Sequence, residues 1–219
     1  MLRQMRVRLT SSVAGALLLL AAASTVHAAA NPRVRVTTSM GDFVIELLPE
    51  RAPLTVNNFL RYVREGQYTH TLMHRVISNF VIQGGGHDAT TYELKPAHEP
   101  VVNESGNGLQ NKRGMVGLAR SEAAHSGNSQ FYVDLADNPD LDPLPTRWGY
   151  AVFGRVVEGM DVIERIAVTP TGSMGPFKND APLKPVIIEK VEIVEGAGSE
   201  APKPVAVPNT ASPSVLSPK

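Results

Sequence analysis

The stretch Leu72–Gly86, LMHRVISNFVIQGGG, sets the terms for the whole chain. Its apolar and β-branched residues fall into two short runs with Ser78-Asn79 as a turn between them, the pattern of two strands. One arginine (Arg75), one aromatic (Phe80) and one amide (Gln83) stand among them, and three glycines follow. A guanidinium in such apolar company is costly unless it lines a cleft or meets a partner. The rest of the chain reads as scaffolding for these few side chains.

That scaffolding is mostly strand. Arg33–Ser39 and Phe43–Leu48 alternate around Met40-Gly41-Asp42, a hairpin signal. Leu54–Glu65 places Val56, Phe59, Leu60 and Val63 on one helical face, with Pro53 in the first turn and Gly66 as a stop. Further strands are expected at Gly114–Ala119, Ser129–Leu135, Tyr150–Val156 and Val186–Val194, and a short helix at Gly159–Val168. Residues 84–113 form a polar loop long enough to suggest function, 136–149 a Pro/Asp-rich loop, and a Pro/Gly loop precedes the last strand. About eight strands with two helices leave too little helix to cover both faces of a parallel sheet. The expected fold is therefore mostly β, a closed eight-stranded antiparallel β-barrel capped by two α-helices.

Composition narrows the chemistry. With 219 residues, 42% of them hydrophobic, the chain suits one domain with a proper core. Zero formal net charge gives no electrostatic case for nucleic acid or an acidic membrane, and the lack of cysteine removes disulfides, thiolate catalysis and zinc-thiolate sites. Arg3, Arg6 and Arg8 precede an apolar run, Val13–Ala23, and then small residues up to Ala30, the layout of a cleavable export signal. The run has 11 residues, short of the roughly 20 that span a bilayer. Cleavage after Ala28 or Ala30 is expected; losing residues 1–30 takes three arginines and no acids from 21 of each sign, leaving a net charge of −3. The expected organisation is a signal at 1–30, one domain at 31–196, and a disordered Pro/Ala/Ser-rich tail at 197–219.

Familiar chemistries fail on the residues. The glycine triplet lacks the Gly-Lys-Ser/Thr and following helix of a phosphate loop. Ser129 in GNSQF lacks the second glycine of a nucleophile elbow, and His70 and His74 lie too far apart along an extended segment to close on a metal. What remains is Arg75, Gln83 and Gln130 as hydrogen-bonding groups, with Phe80, Val81, Tyr132 and Leu141 as apolar walls. Each apolar member alone would read as core, and Arg75 alone equally as a structural salt bridge. Their combination points to a groove with a fixed cation beside an apolar pocket.

MHRVISNFVIQGGG resembles the central signature of the cyclophilin family of peptidyl-prolyl cis-trans isomerases. The resemblance continues through GMVGLAR (114–120), NSQFYV (128–133) and YAVFGRVVEGMDV (150–162), covering roughly residues 33–194. It implies an eight-stranded barrel with two helices and a reaction needing neither cofactor nor metal. It also implies Arg75 as the catalytic residue, with Phe80, Val81, Tyr132 and Leu141 lining a proline pocket. Gln83, Ala119, Arg120 and Gln130 would lie along the peptide groove, and Tyr150 stands where many members have histidine. Departures are Met73 for phenylalanine, Ser78-Asn79 for a Pro-Gly turn, Val81 for methionine and Tyr132 for phenylalanine. Asp140 stands where cyclosporin-sensitive members carry tryptophan.

Taken with the export signal, the chain is similar to periplasmic cyclophilins of Gram-negative bacteria. That implies a periplasmic monomer acting on proline-containing segments of exported polypeptides, without nucleic acid, and without membrane contact once the signal is removed. The alternative is a non-catalytic proline-peptide binder or holdase using the same groove.

Overall fold

The computed structural model describes residues 30–194. The expected tail and all of the expected signal but Ala30 lie outside the described residues.

The first hairpin forms where alternation predicts it. Strands β1 (Arg33–Thr38) and β2 (Gly41–Leu47) pair antiparallel, burying Val34, Val36, Phe43, Ile45 and Leu47. Its turn is tighter than expected: Thr38 pairs directly with Gly41, so Ser39-Met40 make the turn and Asp42 already belongs to the strand. Helix α1 (Pro53–Arg64) keeps its proline in the first turn and buries Val56, Phe59, Leu60 and Val63. It ends in a Schellman arrangement, Gly66 N–H donating to the Val63 carbonyl at 3.1 Å and Gln67 N–H to Tyr62 at 3.0 Å. Helix α2 (Met160–Ala167) buries Val162, Ile163 and Ile166.

The remaining strands are β3 (Thr71–Leu72), β4 (Arg75–Ile77), β5 (Val81–Gly84), β6 (Met115–Leu118), β7 (Phe131–Asp134), β8 (Val152–Glu158), β9 (Thr171–Met174), β10 (Phe177–Pro182) and β11 (Ile187–Ile193). Nine of the eleven form one antiparallel sheet in the order β3-β11-β1-β2-β8-β6-β7-β5-β4. The sheet curls into a half-barrel around a core shared with α1 and α2.

This corrects the expected closed eight-stranded barrel. The two end strands, β3 and β4, are separated by Met73-His74 alone, and no ladder joins them. The segment does not fold back as a hairpin there; β3 pairs with β11 and β4 with β5, so one extended run supplies both ends of the sheet. Across the gap the Gly85 N–H donates to the Leu72 carbonyl at 3.2 Å, while the Met73 N–H donates to Val186 at 2.9 Å and extends the β3–β11 pairing. A second correction falls between α2 and β11, where a loop was expected. There β9 and β10 form a separate two-stranded hairpin packed against β4. Its sequence mixes Gly, Ser, Thr, Lys, Asn and Asp with a few apolar residues, so it lacks the sustained apolar alternation that marks a half-buried strand.

Candidate functional site

Sheet register builds the site. Arg75 lies opposite Gln83, Gln83 opposite Tyr132, and Tyr132 opposite Gly117, one row across four strands. The neighbouring row, Val76, Ile82, Val133 and Val116, belongs to the core. Because successive side chains alternate between faces, the first row must point away from that core. Gly117 is required in it: a Cβ there would come within 2.2 Å of the Tyr132 hydroxyl oxygen.

A cavity of about 180 Å³ opens on this face, lined by Arg75, Phe80, Val81, Gln83, Ala119, Arg120, Tyr132, Leu141 and Tyr150. Gln130 is the one expected site residue outside that lining, and it joins through Gln83, whose Nε2 donates to Gln130 Oε1 at 2.9 Å. Gly86 makes room for this amide, since a Cβ there would meet Gln130 Cγ at 2.5 Å. Phe80 and Leu141 come from the turn after β4 and from a short 3-10 turn, Pro139–Leu141. A cavity of about 300 Å³ adjoins this one through Gln83, Ala119 and Arg120 and takes in Gln130, and two further cavities of about 380 and 540 Å³ lie at the 143–148 loop and beside His74 and Phe177. Neither of these two sets an uncommitted guanidinium on an apolar wall; Arg147, in the 143–148 loop, donates to the carbonyls of Asp140 and Asp142.

The two arginines of the cleft differ in what their donors do. Arg120 Nε donates to the Gly149 carbonyl at 3.0 Å, Nη2 to Trp148 at 2.9 Å and Nη1 to Ser121 at 2.8 Å. Its guanidinium also lies 4.4 Å from the centroid of the Tyr150 ring. Arg75 is half-buried with its guanidinium 5.7 Å from the centre of Phe80, and among the described residues it makes no side-chain hydrogen bond or ion pair. The adjacent His74 adds no charge near neutrality, because burial, reinforced by neighbouring His87, lowers its pKa to about 4.

Several residues behind the pocket wall were not anticipated. Tyr132 is buried and donates its hydroxyl to Asn111 Oδ1 at 2.5 Å; burial pushes its pKa well above the usual phenolic range. Asn138 donates from Nδ2 to the Phe80 carbonyl at 3.0 Å and to Asp134 Oδ1 at 2.7 Å. Burial raises Asp134 to a pKa of about 7, against the lowering effect of the Asn138 hydrogen bond. The one available sequence signal was Asp134 itself, two residues beyond Tyr132 and so on the same face.

Known proteins give the family of this chain. Residues 33–193 match the family described as cyclophilin type peptidyl-prolyl cis-trans isomerase/CLD. The chain is 39% identical to peptidyl-prolyl cis-trans isomerase A of Dickeya dadantii over 191 residues, covering 87% of this chain and all of that one. It is 45% identical to peptidyl-prolyl cis-trans isomerase B of Escherichia coli over 161 residues, 72% of this chain and 97% of the relative. A Cryptosporidium parvum cyclophilin-type isomerase, crystallised in the presence of the dipeptide Ala-Pro, superposes with a TM-score of 0.64 at 26% identity, covering 74% of this chain and 98% of that one. The chain belongs to the family of cyclophilin-type peptidyl-prolyl cis-trans isomerases.

Proposed function

We propose that the Arg75 cleft is where this protein isomerises X-Pro bonds, with exported polypeptides as its substrates. One observation carries the reading: Arg75 is the cleft guanidinium whose donors are uncommitted, and it stands beside an apolar pocket.

A prolyl amide resists rotation by about 18–20 kcal/mol because of C–N resonance. At the twist that resonance is lost, and the nitrogen becomes pyramidal and gains a usable lone pair. A donor aimed at that nitrogen binds the twisted amide more strongly than the planar one, which lowers the barrier without any covalent step. Arginine suits the task, being permanently charged and rigid in its donor geometry. Phe80, Val81, Tyr132 and Leu141 seat the proline ring. Gln83 and Gln130, tied to each other, orient the neighbouring peptide groups, and Ala119 leaves room for the chain.

The exported location rests on the arginine-led apolar segment at residues 1–30. Uncatalysed prolyl isomerisation takes tens to hundreds of seconds and can limit folding, so newly exported chains are suitable clients. We read the working form as a periplasmic monomer.

The test is cis-to-trans conversion of a short X-Pro peptide by wild type and Arg75→Ala. The expected loss is roughly 10²–10³-fold in kcat/KM, the scale of removing one electrostatic donor. Equal rates would remove the role given to Arg75. Saturable peptide binding without acceleration in the wild type would instead establish the non-catalytic binder.

A further inference from the structure

Asp134 is 0% exposed and sits on the cleft face of β7, directly opposite Val81. Its Oδ1 accepts from Asn138, and among the described residues its Oδ2 has no hydrogen-bond partner. A buried carboxyl so poorly satisfied is expensive, and an apolar residue would pack there at less cost. Its surroundings offer no compensating cation: the charged or titratable groups that act on it are Asp137 and Asp142 of the following loop, with Tyr132 on its own strand.

What the carboxyl holds is the Asn138 amide, which reaches Phe80, while the Asn138 main chain bonds Leu141 and Asn111. The amide donates to the Phe80 carbonyl, the main-chain carbonyl accepts from Leu141 N–H at 3.0 Å, and the main-chain N–H donates to the carbonyl of Asn111 at 2.7 Å. Asn111 in turn accepts the Tyr132 hydroxyl. Phe80 lies outside any ladder, following Asn79 at a φ of 58°; its carbonyl accepts Leu135 N–H at 2.8 Å, and the Asn138 amide adds the one side-chain bond to it among the described residues. A carboxylate only accepts, so facing Asp134 forces the Asn138 amide to present its NH2 group, the end that also bonds Phe80.

We propose that the Asn138 side-chain amide, oriented by Asp134, is a positioning group that fixes Phe80 on the wall of the proline pocket. The inference rests on the Arg75 cleft being the reaction site. Asp134 holds the amide in one of its two orientations most firmly when ionised. Because burial brings its titration to about pH 7, that hold changes across the neutral range.

The test compares wild type, Asn138→Ala and Asp134→Asn in isomerisation of one X-Pro peptide across about pH 6 to 8, with peptide Kd measured alongside. Asn138→Ala should raise KM and Kd roughly 3- to 10-fold, the range of one or two net hydrogen bonds, with kcat within about twofold. Asp134→Asn keeps an acceptor in the same place. It should hold KM within about twofold of wild type while abolishing the pH dependence of KM and Kd near pH 7. A folded Asn138→Ala with wild-type KM and Kd overturns the inference, as does an Asp134→Asn variant that keeps the wild-type pH profile. The latter decides the matter if Asn138→Ala fails to fold. A wild type that binds peptide without isomerising it would sink the reaction reading instead, and the Kd values would then decide this one.

Discussion

Arg75 and Arg120 line the same cleft, and among the described residues only the donors of Arg75 are uncommitted. Arg120 spends its donors on the carbonyls of Trp148, Gly149 and Ser121 and lays its plane on Tyr150. It is a clamp that closes the 136–149 loop onto the strand side of the groove. Arg75 stands on a short strand with its guanidinium over Phe80 and no hydrogen-bond partner among the described residues. Charge and location are shared; what separates the two is the supply of backbone acceptors within reach. Committed donors stabilise the resting protein, whereas on the proposed reading the uncommitted ones of Arg75 serve a group that appears only when the amide twists.

The contrast breaks most visibly at Arg75. Arg75→Lys keeps the charge but loses the planar fork, and kcat/KM should fall roughly 10- to 100-fold with thermal stability unchanged. Steady-state kinetics beside a melting curve would check it; near-full activity in the lysine variant would show that charge alone suffices. Arg120→Ala should behave in the opposite way. Losing the clamp should lower Tm by about 2–4 °C per kcal/mol lost and raise KM roughly 3- to 10-fold, with kcat little changed. A kcat loss as deep as that of Arg75→Ala would erase the distinction between the two arginines.

The smallest catalytic effect is expected from a parallel contrast between two buried carboxyls. Burial pushes Glu46 up, but hydrogen bonds from Arg155, Asn31 and Arg33 more than offset this and hold it below the usual range. Asp134, without a cation, rises from 3.8 to about 7. The folded chain therefore keeps a proton on Asp134 that the unfolded chain releases, and stability falls as pH rises through that window, by up to about 4 kcal/mol. Glu46 works the other way, adding stability that is lost as pH falls below 4.5, the ordinary value for its carboxyl. Denaturation curves against pH would show Asp134→Asn flattening the decline toward neutral pH, with kcat kept within about twofold.

How far the sequence speaks follows from the same contrast. Arg75 was legible because an arginine among β-branched residues is conspicuous, and Gln83 and Tyr132 through the family resemblance; that the three share one face depends on the register of three strands. Arg120 was legible as a neighbour of the groove but not as a clamp, since its partners are main-chain carbonyls that no residue identity announces. Asn111 and Asn138 sit in polar loops, where an amide reads as solvated until the fold carries it under Tyr132 or Phe80. The half-barrel was hidden for another reason. Strand count is visible in a sequence, but the split of Thr71–Ile77 between opposite ends of the sheet depends on which strands each half meets. The β9–β10 hairpin, with its few apolar residues scattered among polar ones, gave no clear period.

The central claim is that Arg75 acts on the twisted amide and not on the planar one. Exchange spectroscopy by NMR on an X-Pro peptide at cis–trans equilibrium measures this directly, because binding and interconversion are read in one sample. With Arg75→Ala, peptide affinity should stay within about threefold of wild type while catalysed exchange drops roughly 100-fold or more. Exchange that persists at near wild-type rate, or that falls only in proportion to lost affinity, would contradict the claim.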